Sequence, residues 1–266
     1  MLAATAFFDL AAFAHRELFR DTRHAWEALT RLKSYMAGCR YPELSADLFE
    51  EGVPLTRTLV WFNKELLDSR GLDIDYGDAT KGRLLVRRHG QLLEGASVIM
   101  AGAVLLGRQI DLGHGVLVEA GALIKSPTII GDYTEIRQGA YLRGHCLAGR
   151  GCVIGHVTEV KHTIFLNEAK AGHFAYLGDS ILGNQVNLGA GTKLANLRFT
   201  GGTVPVKTPA GPIDTGLSKL GAILGDQVQT GCNSVTNPGC LLGKKSLVMP
   251  NSTVPSGYHA NNTLIR

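Results

Sequence analysis

Every sixth residue from Met100 onward is apolar: Met100, Leu106, Leu112, Val118, Ile124, Ile130, Ile136, Leu142, Ala148, Ile154, Val160 and Leu166. Two positions before the apolar residue stands a small or β-branched one, as at Ala122, Thr128, Thr134, Ala140, Cys146 and Cys152, and glycine often follows it. Each hexad reads as one short strand and one corner. The spacing therefore predicts a parallel β-helix in which three hexads complete a triangular coil and inward side chains stack into a continuous core. The frame slips between Leu166 and Leu182 and resumes through Leu188 and Leu194. It breaks from Leu197 to Leu220 and returns as Leu224, Thr230, Thr236, Leu242, Val248 and Val254.

Composition divides the chain in two. The first 80 residues hold 4 of the 33 glycines but 11 of the 18 aromatics, so residues 1–80 are expected to differ in kind from residues 81–266. Leu10, Phe13, Ala14 and Leu18 recur at helical spacing, as do Trp26, Leu29, Leu32 and Met36, and later Leu59, Phe62 and Leu66. Three helices are expected there, with Gly71 to Gly82 as the connection and the aromatics as packing groups. In residues 81–266 the breaks in the repeat mark loops leaving the prism, at 167–181 and 197–220, and function tends to sit on such loops. The second contains V-P-V-K-T-P-A-G-P-I, whose turn residues between short apolar runs predict a protruding hairpin.

Several function classes drop out at this level. An apolar share of 45% excludes a disordered chain, and no run of about 18 apolar residues offers a spanning helix. The opening MLAATAFFDLAAFAHR lacks a basic leader and carries Asp9 within its apolar stretch, so it does not read as a secretory signal, and a cytoplasmic location is expected. Five scattered cysteines (Cys39, Cys146, Cys152, Cys232, Cys240) without a C-x-x-C pair suit reduced thiols. No two of His114, His145, His156, His162 and His173 stand five apart, so no metal site is expected. A net charge of +4 is short of a nucleic-acid binder's footprint and suits a small phosphorylated ligand.

Residues one coil apart share a corner, so Lys125, Arg143 and Lys161 should line up at steps of about 4.8 Å, the spacing of adjacent strands. Like charges so placed repel. Either an anion such as a phosphate sits against them or the side chains splay into solvent.

From Lys170 to Leu194 the chain reads KAGHFAYLGDSILGNQVNLGAGTKL. This resembles the K-A-G-H-x-x-Y-L-G-D and V-N-I-G-A-G-T signatures of the acetyltransferase domain in the bifunctional N-acetylglucosamine-1-phosphate uridyltransferase/glucosamine-1-phosphate acetyltransferase family. NLRF at 196–199 and KLGAILGDQVQTGCN at 219–233 resemble its archaeal sugar-1-phosphate members, and the likeness covers roughly 95–254. The resemblance implies a left-handed β-helix, a homotrimer with active sites between subunits, acetyl-CoA as co-substrate and a small sugar phosphate as acceptor, with no nucleic acid or membrane partner. By matching position it implies His173 as catalytic base, Tyr176 and Asn187 as sugar-binding residues, and Arg143 and Lys161 as phosphate ligands. Ala190 and Asn196 match acetyl-CoA contacts, and Lys219 a further substrate lysine. Two positions depart from the bacterial pattern: Leu197 follows Asn196 where a tyrosine is usual, and Cys232 replaces a serine near the coenzyme. The family's glycine-rich G-x-G-T-x-M loop is missing, so nucleotidyl transfer is not expected. The implied reaction is acetylation of an amino-sugar-1-phosphate, glucosamine-1-phosphate above all, toward UDP-N-acetyl sugars. An acyltransferase on a nucleotide-linked amino sugar and a non-catalytic sugar-phosphate-binding module are the alternatives.

Overall fold

The computed structural model describes residues 2–44 and 47–266. The chain is mainly β, a left-handed parallel β-helix with three faces. The first face carries the strands Ser97–Ile99, Leu117–Val118, Glu135–Ile136, Val153–His156, Lys170–His173, Asn187–Leu188, Gln229–Thr230, Leu247–Val248 and Leu264–Ile265. The second runs from Val104–Leu106 through Leu123–Lys125, Tyr141–Leu142, Glu159–Lys161, Tyr176–Gly178, Lys193–Leu194 and Val235–Thr236 to Thr253–Val254. The third runs from Ile110–Leu112 through Thr128–Ile130, Cys146–Ala148, Thr163–Phe165, Ile181–Leu182, Ala222–Leu224 and Cys240–Leu242 to Gly257–His259.

The hexad residues from Leu112 to Val160 point inward, joined by Ala122, Ala140, Cys146 and Cys152 from the positions two before them. Buried threonine hydroxyls at those positions satisfy themselves on the coil: Thr134 donates to the Gly149 carbonyl (3.0 Å) and Thr158 to that of Ala171 (3.2 Å). At both ends the sequence frame is off by one. Ile99 and Leu105, not Met100 and Leu106, enter the core, and Phe165, not Leu166, does so later. Coils that gain or drop one corner residue cause this, because strand side chains alternate and a one-residue slip exchanges inside for outside. Leu166 is still buried, on the outer side of the third face.

That outer side is apolar because the N-terminal segment lies on it. Phe7, Phe8, Phe13, Phe19, Trp26, Leu29, Leu32 and Met36 pack against Ile129, Leu147, Ile164, Ile181, Ile223 and Leu241. The second expected helix is present as Glu27–Ala37, its carboxylate at Glu27 accepting from the Arg23 and His24 amides at the N-terminus. The first is not. Only single turns form, at Ala4–Phe7 and Arg16–Phe19, because the backbone between them is engaged by prism corners. Asn184 donates to the Asp9 carbonyl (2.8 Å), Asn167 to that of Ala12 (3.0 Å), and the Asp9 amide donates to Asp226 (2.7 Å). The third is a hairpin, Leu59–Phe62 with Glu65–Asp68, turned by Asn63 and Lys64 at φ of 52° and 63°. Two left-handed residues between apolar runs suit a twisted hairpin. Its first strand adds antiparallel to Ser97–Ile99 and closes that edge of the first face, with Trp61 in the core. A three-stranded antiparallel sheet, Leu72–Tyr76, Leu84–Arg88 and Gln91–Leu92, covers Val98 and Leu117. Within 197–220, Pro205–Thr208 and Gly211–Asp214 pair antiparallel, and Val204 and Val206 join the packing on the third face. Among the described residues no helix is long and apolar enough to cross a membrane.

Candidate active site

The registers Ile124 with Leu142 and Leu142 with Val160 put Lys125, Arg143 and Lys161 in one row at the end of the second face. Each cation has a local counterpart. Arg143 donates to Glu159 (2.7 Å), Lys161 to Asp179 (3.1 Å), and the Lys125 ammonium lies 5.2 Å from the Tyr141 ring centroid. Repulsion along the row is thus relieved by carboxylates and a ring. Arg143 and Lys161 also line a cavity of about 370 Å3 with Lys219, and Leu29 and Lys33 of the helix Glu27–Ala37 form part of its wall.

Asp179 organises this end of the face. Its buried carboxylate accepts from Lys161, from Nδ1 of His162 (2.9 Å) and from the Asn196 amide (2.6 Å). Burial alone would raise its pKa. The hydrogen bond from His162, the Lys161 charge and the Asn196 amide outweigh that and hold the carboxyl below its ordinary value. Tyr176 reaches the same network, its hydroxyl 3.4 Å from Oδ1 of Asn196. Burial, then the charges of Glu159 and Asp179, push the phenol above its ordinary value, so it is a neutral hydroxyl at physiological pH.

His173 ends the strand Lys170–His173 at the corner between the first and second faces, with its side chain exposed. It stacks on His156 of the preceding coil, with centroids 5.6 Å apart and planes at 21°. Backbone bonds Gly191 N to His173 O (3.0 Å) and Asn233 N to Ala190 O (2.8 Å) carry the corner onward, so His173, Ala190 and Cys232 share one edge of the prism on successive coils. Tyr176 follows His173 by three residues, which bounds their Cα separation at roughly 11 Å. Asn187 pairs with Lys170 at the start of its strand and lies exposed on the first face, three residues before Ala190.

The structure thus gathers Arg143, Lys161, Tyr176, Asn196 and Lys219 toward one end of the second face. His173, Ala190 and Cys232 stand along its other edge. Sequence reading missed Asp179, Glu159, His162, His145 and Lys33. The first four had a signal: His145, His162 and Asp179 recur every 17 residues, and Glu159 stands two before Lys161. Lys33 had none, since only folding brings its helix to this corner.

Fold and signature together define a hexapeptide-repeat acyltransferase. No family model matches the chain. It is 36% identical over 155 residues to the bifunctional sugar-1-phosphate nucleotidylyltransferase/acetyltransferase of Sulfurisphaera tokodaii, covering 52% of this chain and 39% of that protein. It is 33% identical over 171 residues to the bifunctional protein GlmU of a Nostoc species, covering 61% and 33%. Against the uncharacterized acetyltransferase YaiX of Escherichia coli it is 32% identical over 171 residues, covering 62% of this chain and 72% of YaiX. The chain therefore belongs to the acetyltransferase family that includes YaiX and the acetyltransferase region of the bifunctional sugar-1-phosphate enzymes. It spans between a third and two fifths of the length of those two bifunctional relatives.

Proposed function

We propose that this acetyltransferase moves an acetyl group from acetyl-CoA to the amine of an amino-sugar-1-phosphate, with glucosamine-1-phosphate the preferred acceptor. One observation carries the reading: a row of cations opening on a cavity stands on the same face as Tyr176, three residues from an exposed imidazole in the KAGH signature. Arg143 and Lys161, with Lys219, hold the phosphate, and Tyr176 and Asn187 orient the sugar. The amine nitrogen attacks the thioester carbon. His173 accepts the proton that nitrogen loses and, as the C–S bond breaks, returns it to the departing sulfur, so that coenzyme A leaves as its thiol. General-base catalysis of this kind contributes about 10²- to 10⁴-fold in rate, and holding the phosphate contributes by positioning.

Ala190, Asn196 and Cys232 serve the coenzyme in this reading. Packing on the outer side of the third face, and of the antiparallel sheet over Val98 and Leu117 on the first, leaves the second face and the His173 edge for contact between copies. A homotrimer with that edge at the subunit boundary would bring a neighbour's surface over His173. The test is free-thiol release on mixing the protein with acetyl-CoA and glucosamine-1-phosphate. Release that requires both substrates and disappears in His173→Ala supports the proposal, and no release, or release untouched by His173→Ala, overturns it.

A further inference from the structure

His156 and His173 are partners in register on successive coils, and each sits in the same short pattern, Gly155-His156-Val157 and Gly172-His173-Phe174. The glycines let the two coils come close: a Cβ on Gly155 would collide with the Gly172 carbonyl. Val157 and Phe174 follow at φ of 50° and 53°, and the Phe174 amide donates to the His156 carbonyl (2.8 Å). Such φ values are outlying for β-branched and bulky residues, so the surrounding coils hold this corner in one geometry. Within it the two imidazoles stack, with centroids 5.6 Å apart and planes at 21°, inside the range of about 4.5–7 Å that aromatic pairs favour. Among the described residues neither imidazole makes a side-chain hydrogen bond, and His173 has ring contacts alone, to His156 and, at 6.3 Å, to Phe174. A catalytic base is usually oriented by a hydrogen bond to a third group. Here the stack takes that place. The same edge continues with Ala190 and Cys232, neither of which carries a ring, so His156 is the residue of this column able to stack on His173.

We propose that His156 is a positioning residue whose ring sets the plane of the His173 imidazole. A neutral imidazole accepts a proton in the plane of its ring, so fixing the plane fixes the direction from which the amine must approach. The inference rests on the proposed function in taking His173 as the base. It adds a residue that touches neither substrate and acts through the flat face of its ring, not through its nitrogens. Gly155 belongs to the same device, since the close approach it permits brings the two rings into register.

The experiment measures thiol release from acetyl-CoA and glucosamine-1-phosphate, together with the ring-proton resonance of His173, in the full chain as wild type, His156→Ala and His156→Phe. Phenylalanine keeps a flat ring and removes both nitrogens, which separates stacking from hydrogen bonding. His156→Ala is expected to lower kcat by about ten- to a hundredfold while KM for both substrates stays within about twofold. His156→Phe is expected to recover kcat to within about threefold of wild type. A half-buried side chain at a strand end leaves the fold intact, so both variants should melt within about 2 °C of wild type. The His173 resonance, assigned by its loss in His173→Ala, is shielded by the stacked ring; it should move downfield in His156→Ala and return in His156→Phe. Turnover of His156→Ala within about twofold of wild type, or a loss that phenylalanine does not restore, overturns the inference. If the wild type releases no thiol, a resonance that moves and returns in this way leaves the stack standing and removes the acetyltransferase proposal, and one that stays put overturns the inference as well. Release abolished in His173→Ala but kept in His156→Ala leaves the proposed function standing and removes the inference alone.

Discussion

Asp179→Asn isolates one charge. Asparagine has the same shape and, like aspartate, accepts the left-handed backbone that position 179 requires at φ of 48°, so the substitution introduces no new strain. What it removes is the anion between Lys161 and His162, leaving a part-buried ammonium without its counter-charge. Breaking a fully buried pair costs about 3–5 kcal/mol, and the Lys161 side chain, 28% exposed, retains some water, so a loss of about 2–4 kcal/mol is expected. At about 2–4 °C per kcal/mol for a chain near this size, the thermal midpoint should fall by about 5–15 °C. The pH dependence follows from the folded carboxyl lying below its unfolded value of about 3.9. Its stabilisation is full above that pH and is lost as pH falls through the folded value. Melting curves of both proteins from pH 7 down to pH 3 should therefore show a gap that is constant above about pH 5 and narrows below pH 4. A midpoint within about 1 °C of wild type at pH 7, or a gap that does not narrow in acid, would refute this account of the corner.

His173→Ala should lower turnover by about 10²- to 10⁴-fold while calorimetric affinity for glucosamine-1-phosphate stays within twofold; a comparable loss of binding would show the imidazole to be a sugar ligand. Phe7→Ala, at the centre of the packing on the third face, should cost about 3–5 kcal/mol in urea unfolding, and a cost below 1 kcal/mol would mean the segment is loosely held. In Gly155→Ala the added methyl would collide with the Gly172 carbonyl on the strand leading to His173. Overpacking of this kind costs about 1–3 kcal/mol, and thermal melting at the wild-type midpoint would contradict it. Sedimentation should find three copies at micromolar concentration, and a monomer that still turns over would exclude a shared site.

The prism was legible because its core repeats at a fixed chemical period: from Leu112 to Val160 each inward residue can be named from spacing alone. The frame failed where a coil gains or drops a residue, which hydropathy does not register when neighbours such as Phe165 and Leu166 are both apolar. The N-terminal helices were less legible because Leu10 to Leu18 has helical spacing while its backbone partners, Asn167, Asn184 and Asp226, lie far along the chain. The cation row was visible as an 18-residue spacing, and Asp179 continues that spacing from Lys161, but the coil there is shortened to 17 residues, so Gly178 sits beside Lys161 in register and Asp179 turns the corner with His162. Lys33 belongs to the corner only through tertiary packing.

The packing of residues 2–41 on the third face also fixes an order of events during synthesis. Phe7 and its neighbours leave the ribosome ahead of the coils, yet the surface they require includes Ile223, Leu241 and Tyr258, more than 200 residues later. Coils can close one on another as they emerge, each strand pairing with the one before it, while the opening segment waits with its aromatic side chains uncovered. Translation is slow, about 5–20 residues per second, so that exposure lasts roughly ten seconds or more. The segment translated ahead of the prism thus completes its packing only after the last coils are made.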